Sequence, residues 1–252
     1  MIAKVYPSAA DLENLARVTT ETSSSANAFD YSKVIVTKPW GHEYLWYQNA
    51  SVAVWMLCIK AGHATSLHCH LRKRTSLIVL EGQVVCSTLE DRYNLTPLDG
   101  VVLEPCVFHT SEAICERGAY VIEIENPPLK GDLVRLKDRF GRAGTGYESA
   151  RHHENVAAYP YHPFTPDAQY SFGGLQFALH PLQNRTQAQQ VCDAAQLVVP
   201  ILGRLVAGRN VLIEIGEAVR PCDLDLSILP LLFPPVELLA IESVAFSSFA
   251  FP

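Results

Sequence analysis

The stretch Gly62-His63-Ala64-Thr65-Ser66-Leu67-His68-Cys69-His70 constrains this chain more than any other. His68 and His70 are separated by one residue. On an extended strand, side chains at i and i+2 face the same side, so both imidazoles can reach one point while Cys69 turns to the opposite face. His109 follows Glu104-Pro105-Cys106-Val107-Phe108, where a second strand is predicted to begin, and is the candidate third imidazole. Three nitrogens on one side of a site suit a divalent transition metal such as zinc, manganese, iron or nickel. His63 is a further candidate ligand, placed in the loop ahead of the strand.

The surrounding pattern predicts strands. Val34–Val36, Glu43–Tyr47, Val52–Lys60, Ser76–Leu80, Gln83–Thr88, Val101–Leu103, His109–Ala113 and Tyr120–Glu125 are short β-rich runs, and Gly62, Gly82 and Gly100 punctuate them. Many short strands with glycine turns give an all-β fold, a sandwich or barrel of the jelly-roll type. Ahead of them, Leu12, Leu15 and Val18 at helical spacing after Ser8 predict a short N-terminal helix. The serine-rich Thr19–Asn27 reads as a mobile connection.

Gly62, His68, His70 and Gly82 fall at the spacing of the first cupin motif, G-x5-H-x-H-x4-E-x6-G, and Glu104–His109 resembles the second. Lys38-Pro39-Trp40-Gly41-His42-Glu43-Tyr44 is similar to the first strand of cupin domains in mannose-6-phosphate isomerases and nucleotide-sugar enzymes. The resemblance covers roughly residues 33 to 127. It implies a double-stranded β-helix jelly roll holding a metal on His68, His70 and His109. Thr75 stands where cupins place a ligand glutamate. That loss leaves more coordination positions to water or substrate, and Thr75 is a candidate to orient what binds there. Arg72-Lys73-Arg74, directly after the metal pair, is either an anion clamp at the barrel mouth or a solvated turn.

The later part of the chain reads as a weak repeat of the first. Gln196–Val206 aligns with Thr75–Val85, glycine on glycine, and Gly216–Cys222 aligns with Gly100–Cys106. Gln189, Val191 and Asp225 then fall opposite His68, His70 and His109, which predicts a bicupin whose second half has lost its metal. The expected organisation is an N-terminal helix and flexible segment over 1–30, a metal-binding cupin domain over 31–128, a linker over 129–170 and a degenerate cupin-like β domain over 171–252. Gly131–Leu136 is expected to open a helical turn, and the glycine-rich Gly141–Gly146 to be linker.

With 48% hydrophobic and 18% charged residues, the chain is globular and apolar. A net charge of -6 speaks against a nucleic-acid binder, which needs a basic face. No signal peptide and no apolar run of membrane-spanning length is evident, and seven cysteines without framework spacing fit free thiols in the cytoplasm. The expected partners are a small anionic or oxygen-rich ligand such as a sugar phosphate, and a second copy in a homodimer. Three readings follow. The first is a carbohydrate-processing, isomerase-like cupin in which the metal is the Lewis acid. The second is a three-histidine iron dioxygenase, and the third a non-catalytic ligand-binding cupin. The sequence names no general base.

Overall fold

The computed structural model describes residues 1–18, 29–32, 34–139, 141, 153–154, 169–229 and 232–243. The connection expected at 19–27 and most of the linker, including all but the first residue of the glycine-rich loop, lie outside them. The chain divides into two compact units, Met1–Pro163 and Phe164–Pro252.

In the first unit the elements are β1 (Ile2–Val5), α1 (Ala9–Arg17), β2 (Ile35–Lys38), β3 (Gly41–Gln48), β4 (Ala53–Ile59), β5 (Leu67–Cys69), β6 (Arg74–Glu81) and β7 (Val84–Thr88). There follow β8 (Arg92–Leu95), β9 (Gly100–Leu103), β10 (His109–Ala113), β11 (Ala119–Asn126), β12 (Val134–Lys137) and β13 (His153–Glu154). They form two sheets, ordered β1-β9-β6-β11-β4-β3-β2-β13 and β12-β5-β10-β7-β8. One core cluster draws Leu57, Leu77, Leu103 and Val121 from the first sheet and Val84, Cys86, Leu95 and Ala113 from the second, so the sheets pack face to face. This is the all-β jelly roll expected from the strand pattern. The central strand β4, Ala-Val-Trp-Met-Leu-Cys-Ile, is buried at every position, as its unbroken apolar run requires.

Four elements differ from expectation, among them β13, a strand paired with β2 inside the expected linker. Strand β1 pairs in parallel with β9, an addition at the sheet edge that its four residues did not announce. Gly131–Leu136 forms no helical turn: Val134–Lys137 is a strand beside β5, because Val134 buries against Cys69 and Phe108. Strand β8 was also unforeseen, and it closes the smaller sheet.

Two loops have definite backbone causes. Gly82 turns β6 into β7 at φ 85°, and a Cβ there would meet the Gly118 carbonyl oxygen, so glycine is required. Cys106 takes φ 72°, a left-handed conformation that strains any residue with a Cβ. Its N–H donates to the His70 carbonyl at 2.6 Å, which holds the loop before β10 against the segment that carries His68 and His70. Cys106→Gly is therefore expected to stabilise the protein. Relief of roughly 1–2 kcal/mol of strain outweighs the ~0.5–1 kcal/mol that glycine's freer unfolded chain costs. The check is a higher denaturation midpoint at unchanged slope; a lower midpoint would show that the 106 backbone is not strained.

Helix α1 forms as its cap predicts. Ser8 Oγ accepts from Asp11 N–H at 3.1 Å while the Asp11 carboxylate accepts from Ser8 N–H at 2.8 Å, a capping box. The other Asp11 oxygen accepts from Phe108 N–H at 2.9 Å, tying the helix to the residue before His109.

The second unit contains β14 (Gln169–Phe172), β15 (Leu175–Asn184), α2 (Arg185–Ala194), β16 (Leu197–Leu202), β17 (Leu205–Ala207), β18 (Asn210–Ile213) and β19 (Leu232–Ser243). Four strands form an antiparallel sheet ordered β14-β15-β19-β16, and β17 and β18 form a hairpin. Gly203 turns out of β16 at φ 66°, as Gly82 does out of β6. The repeat alignment fails upstream of that point. Gln189 and Val191 lie on α2, capped by Asn184 and buried through Ala188, Val191 and Cys192, where the first unit has the strand of His68 and His70. Asp225 caps a short 3-10 turn and is exposed.

Candidate metal centre

Strand alternation places His68 and His70 on one face of β5 and its continuation, and Cys69 on the other, packed against Phe108 and Val134. His109 opens β10 directly opposite His68 in the antiparallel register. The ring centroids lie 5.1 Å apart for His68 and His70, 4.5 Å for His68 and His109, and 5.5 Å for His70 and His109. One ligand atom from each lies within 4.8 Å of the others, and all three residues are buried. No other His, Cys, Asp and Glu group among the described residues meets that condition. His63 is not part of it; its Nδ1 contacts the Ala61 carbonyl at 2.9 Å in an exposed turn.

The donor set fits a metal ion. His68 Nδ1 lies 2.8 Å from the Ser66 carbonyl, His70 Nδ1 lies 2.6 Å from that of Asp132, and His109 Nδ1 lies 3.0 Å from that of Val107. A carbonyl only accepts, so each Nδ1 carries the hydrogen and each Nε2 keeps its lone pair. His70 Nε2 is buried without a hydrogen-bond partner. Burial, followed by the neighbouring His109, holds His68 well below the usual imidazole range. Burial and then Lys73 do the same to His70, and burial brings His109 to about 4. All three are neutral, the state a metal requires of them.

Asp132 braces this arrangement. Its carboxylate accepts from the N–H groups of Leu71, Arg72 and Lys73 at 3.1, 2.8 and 3.1 Å, fixing the turn that follows His70. Such outer partners set ring orientation and ligand strength.

The cavity beside the histidines is lined by Lys38, Glu43, Lys73, Glu123, Glu125, Lys130 and Arg135 among its charged residues. Lys73 meets Glu125 at 2.6 Å, and Lys130 meets Glu43 at 3.0 Å and Glu125 at 3.7 Å. Lys38 lies 3.5 Å from Glu43. Burial raises the Glu125 carboxyl, but Lys130 and Lys73 outweigh it and hold the group below its ordinary range. Burial and then Glu125 raise Glu123. Arg135 stands opposite His68 in the pairing of β12 with β5. The interior that a water-sized sphere can enter measures about 50 Å³.

The residues predicted to bind substrate separate in space. Lys73 lines the cavity and is 1% exposed. Arg72 is exposed in the turn, and Arg74 pairs with Glu104 at 2.9 Å; neither lines the cavity. Thr75 is fully buried beside it, with an Oγ1 that has no hydrogen-bond partner. The sequence reading missed Glu43, Glu123, Glu125, Lys130 and Arg135. One signal was present: Glu123 and Glu125 stand at alternate positions of an otherwise apolar strand, so both face inward.

No protein-family model and no curated protein matches the sequence. Solved structures do resemble it in part. KdgF from a Halomonas species is 17% identical, with a TM-score of 0.36 over 43% of this chain and 94% of its own. A putative sugar phosphate isomerase from Acidithiobacillus ferrooxidans is 19% identical, with a TM-score of 0.29 over 30% of this chain and half of its own. A cupin superfamily protein from Desulfitobacterium hafniense is 15% identical, with a TM-score of 0.30 over 33% of this chain and 74% of its own. These likenesses concern fold. The two packed sheets, with His-x-His on one strand and a third histidine on its neighbour, are the arrangement that the resemblance to the cupin motifs implies. Among the described residues no helix is long and apolar enough to cross a membrane.

Proposed function

We propose that the first unit is a metal-dependent cupin that binds and transforms a small, oxygen-rich anion, of the kind presented by a sugar acid or the reacting end of a sugar phosphate. The observation that carries this reading is the meeting of three neutral imidazole lone pairs with a buried cavity of four cationic and three carboxylate side chains. His68, His70 and His109 would hold the metal, which supplies a Lewis acid for a carbonyl or hydroxyl oxygen. Arg135, beside His68, presents a planar guanidinium to a carboxylate or phosphate. Lys73 pairs with Glu125 and Lys130 with Glu43, and with Lys38 and Arg135 they set four cations against three carboxylates in the cavity. Ser66 lines the same wall and offers a hydroxyl to ligand oxygens. An interior of about 50 Å³ holds only a few water-sized groups, at roughly 10–15 Å³ each.

The test is calorimetry of metal-loaded protein against glycolate, a short hydroxy-acid, a hexuronate and a hexose phosphate. The expected result is binding of at least one of the acids, weakened ~10-fold or more in Arg135→Met, since a charge-assisted contact contributes about 1.5–3 kcal/mol. Binding of none of the four would leave the site without this function. The three-histidine set also fits an iron dioxygenase. Metal analysis of untagged protein separates the readings: iron favours oxygen chemistry, zinc or manganese favours isomerisation.

A further inference from the structure

Position 75, where the cupin motif supplies a carboxylate, is a threonine that does not line the cavity. The adjacent strand provides one instead. β11 runs antiparallel to β6 with Glu125 opposite Thr75 and Glu123 opposite Leu77. Both carboxylates line the cavity, but their surroundings differ. Glu125 is committed to Lys73 at 2.6 Å and reaches Lys130 at 3.7 Å. Among the described residues Glu123 has no lysine or arginine within ion-pair distance, and the contact it makes at that range is with His70 Nε2, 4.0 Å from its Oε1.

That contact is informative because His70 holds its hydrogen on the other nitrogen, against the Asp132 carbonyl. A lone pair and a carboxylate oxygen therefore face each other in a buried site. A separation of 4.0 Å is too long for a proton to bridge as a hydrogen bond. It suits two donors sharing a cation, since atoms each about 2.1 Å from one ion lie roughly 3–4.2 Å apart. We propose that Glu123 is the fourth protein donor of the metal centre, delivered from β11 in place of the carboxylate absent at position 75. This rests on the metal-binding reading above. Among the described residues only the three imidazole donors lie mutually within 4.8 Å, so the carboxylate reaches the ion by turning about its own side-chain torsions. The consequence is a three-histidine, one-carboxylate centre of lower net charge than the three histidines alone would give.

Cobalt(II) serves as the probe, read by calorimetry and by its visible spectrum. Glu123→Gln is expected to weaken cobalt binding at least ~10-fold, the smallest loss typical of altered metal surroundings, and to change the spectrum. Glu81→Gln, which alters an exposed carboxylate at the end of β6, is expected to do neither. Equal affinity and spectrum in Glu123→Gln would overturn the proposal while leaving the three-histidine site standing. If that variant does not fold, a crystal structure of cobalt-loaded wild-type protein decides. A Glu123 oxygen at about 2.0–2.2 Å from the ion supports the assignment, and water in that place refutes it. Wild-type protein that takes up no cobalt would instead sink the metal reading itself.

Discussion

His109→Ala is expected to abolish stoichiometric metal binding. The three Nε2 lone pairs are aimed by three separate backbone contacts, and only His109 brings one from β10. Losing an outer partner of a ligand typically costs 10–100-fold in affinity, and losing the ligand itself costs more. The fold should survive. His109 is 2% exposed, and its removal gives up one hydrogen bond to Val107 and some packing, while both sheets keep their ladders. The measurement pairs calorimetry with thermal unfolding in the presence and absence of zinc. Saturating metal should raise the wild-type melting temperature, since ligand at a hundred times Kd contributes about 2.7 kcal/mol. The variant should show no metal-dependent shift. Retention of wild-type affinity in His109→Ala would remove the candidate centre from consideration.

The parts of this site that the sequence disclosed are those governed by local periodicity. Two-residue alternation is enough to put His68 and His70 together and to exclude Cys69, and the glycine at position 82 is forced by a turn that no other residue fits. That alternation does not extend to Arg72-Lys73-Arg74, because residues 72 and 73 lie in the turn ahead of β6, so the one of the three that enters the cavity was not legible from spacing. What stayed hidden depends on register between strands distant in sequence. Glu123 becomes a neighbour of His70 only because β11 lies between β6 and β4, and Arg135 meets His68 only because β12 joins β5. In the second unit a local signal was available and was overridden by the glycine-on-glycine alignment. Asn184 followed by buried Ala188, Val191 and Cys192 has helical spacing.

Lys130→Ala is expected to be the most destabilising single change among the cavity's charged residues. Its ammonium is buried, lies 3.0 Å from Glu43 and 3.7 Å from Glu125, and sits 3.5 Å from the centre of the Trp55 ring. Burial alone would lower its pKa, yet Glu125, Glu43 and Glu123 outweigh that and raise it above the usual lysine value. Removing it takes away a partner of Glu43 and a second partner of Glu125, leaving Lys38, Lys73 and Arg135 as the cavity's cations, and breaking a buried pair from one side costs about 3–5 kcal/mol. Lys130→Met, which keeps most of the volume, should lose nearly as much if charge is the cause. The pH dependence follows from the signs of the shifts. A raised lysine stabilises fully below its unfolded pKa of about 10.4, and that contribution fades only as pH rises through the higher folded value. A depressed carboxylate stabilises above its unfolded pKa of about 4.3, and that contribution fades as pH falls through the lower folded value of Glu125. The network is thus intact across neutral pH and yields first to acid. Without Lys130 the depression of Glu125 weakens, so the acid-unfolding midpoint should move to higher pH, as followed by circular dichroism. A loss below about 1 kcal/mol, the scale of an exposed ion pair, with an unmoved acid midpoint would mean that water, and not Lys130, compensates the buried carboxylates.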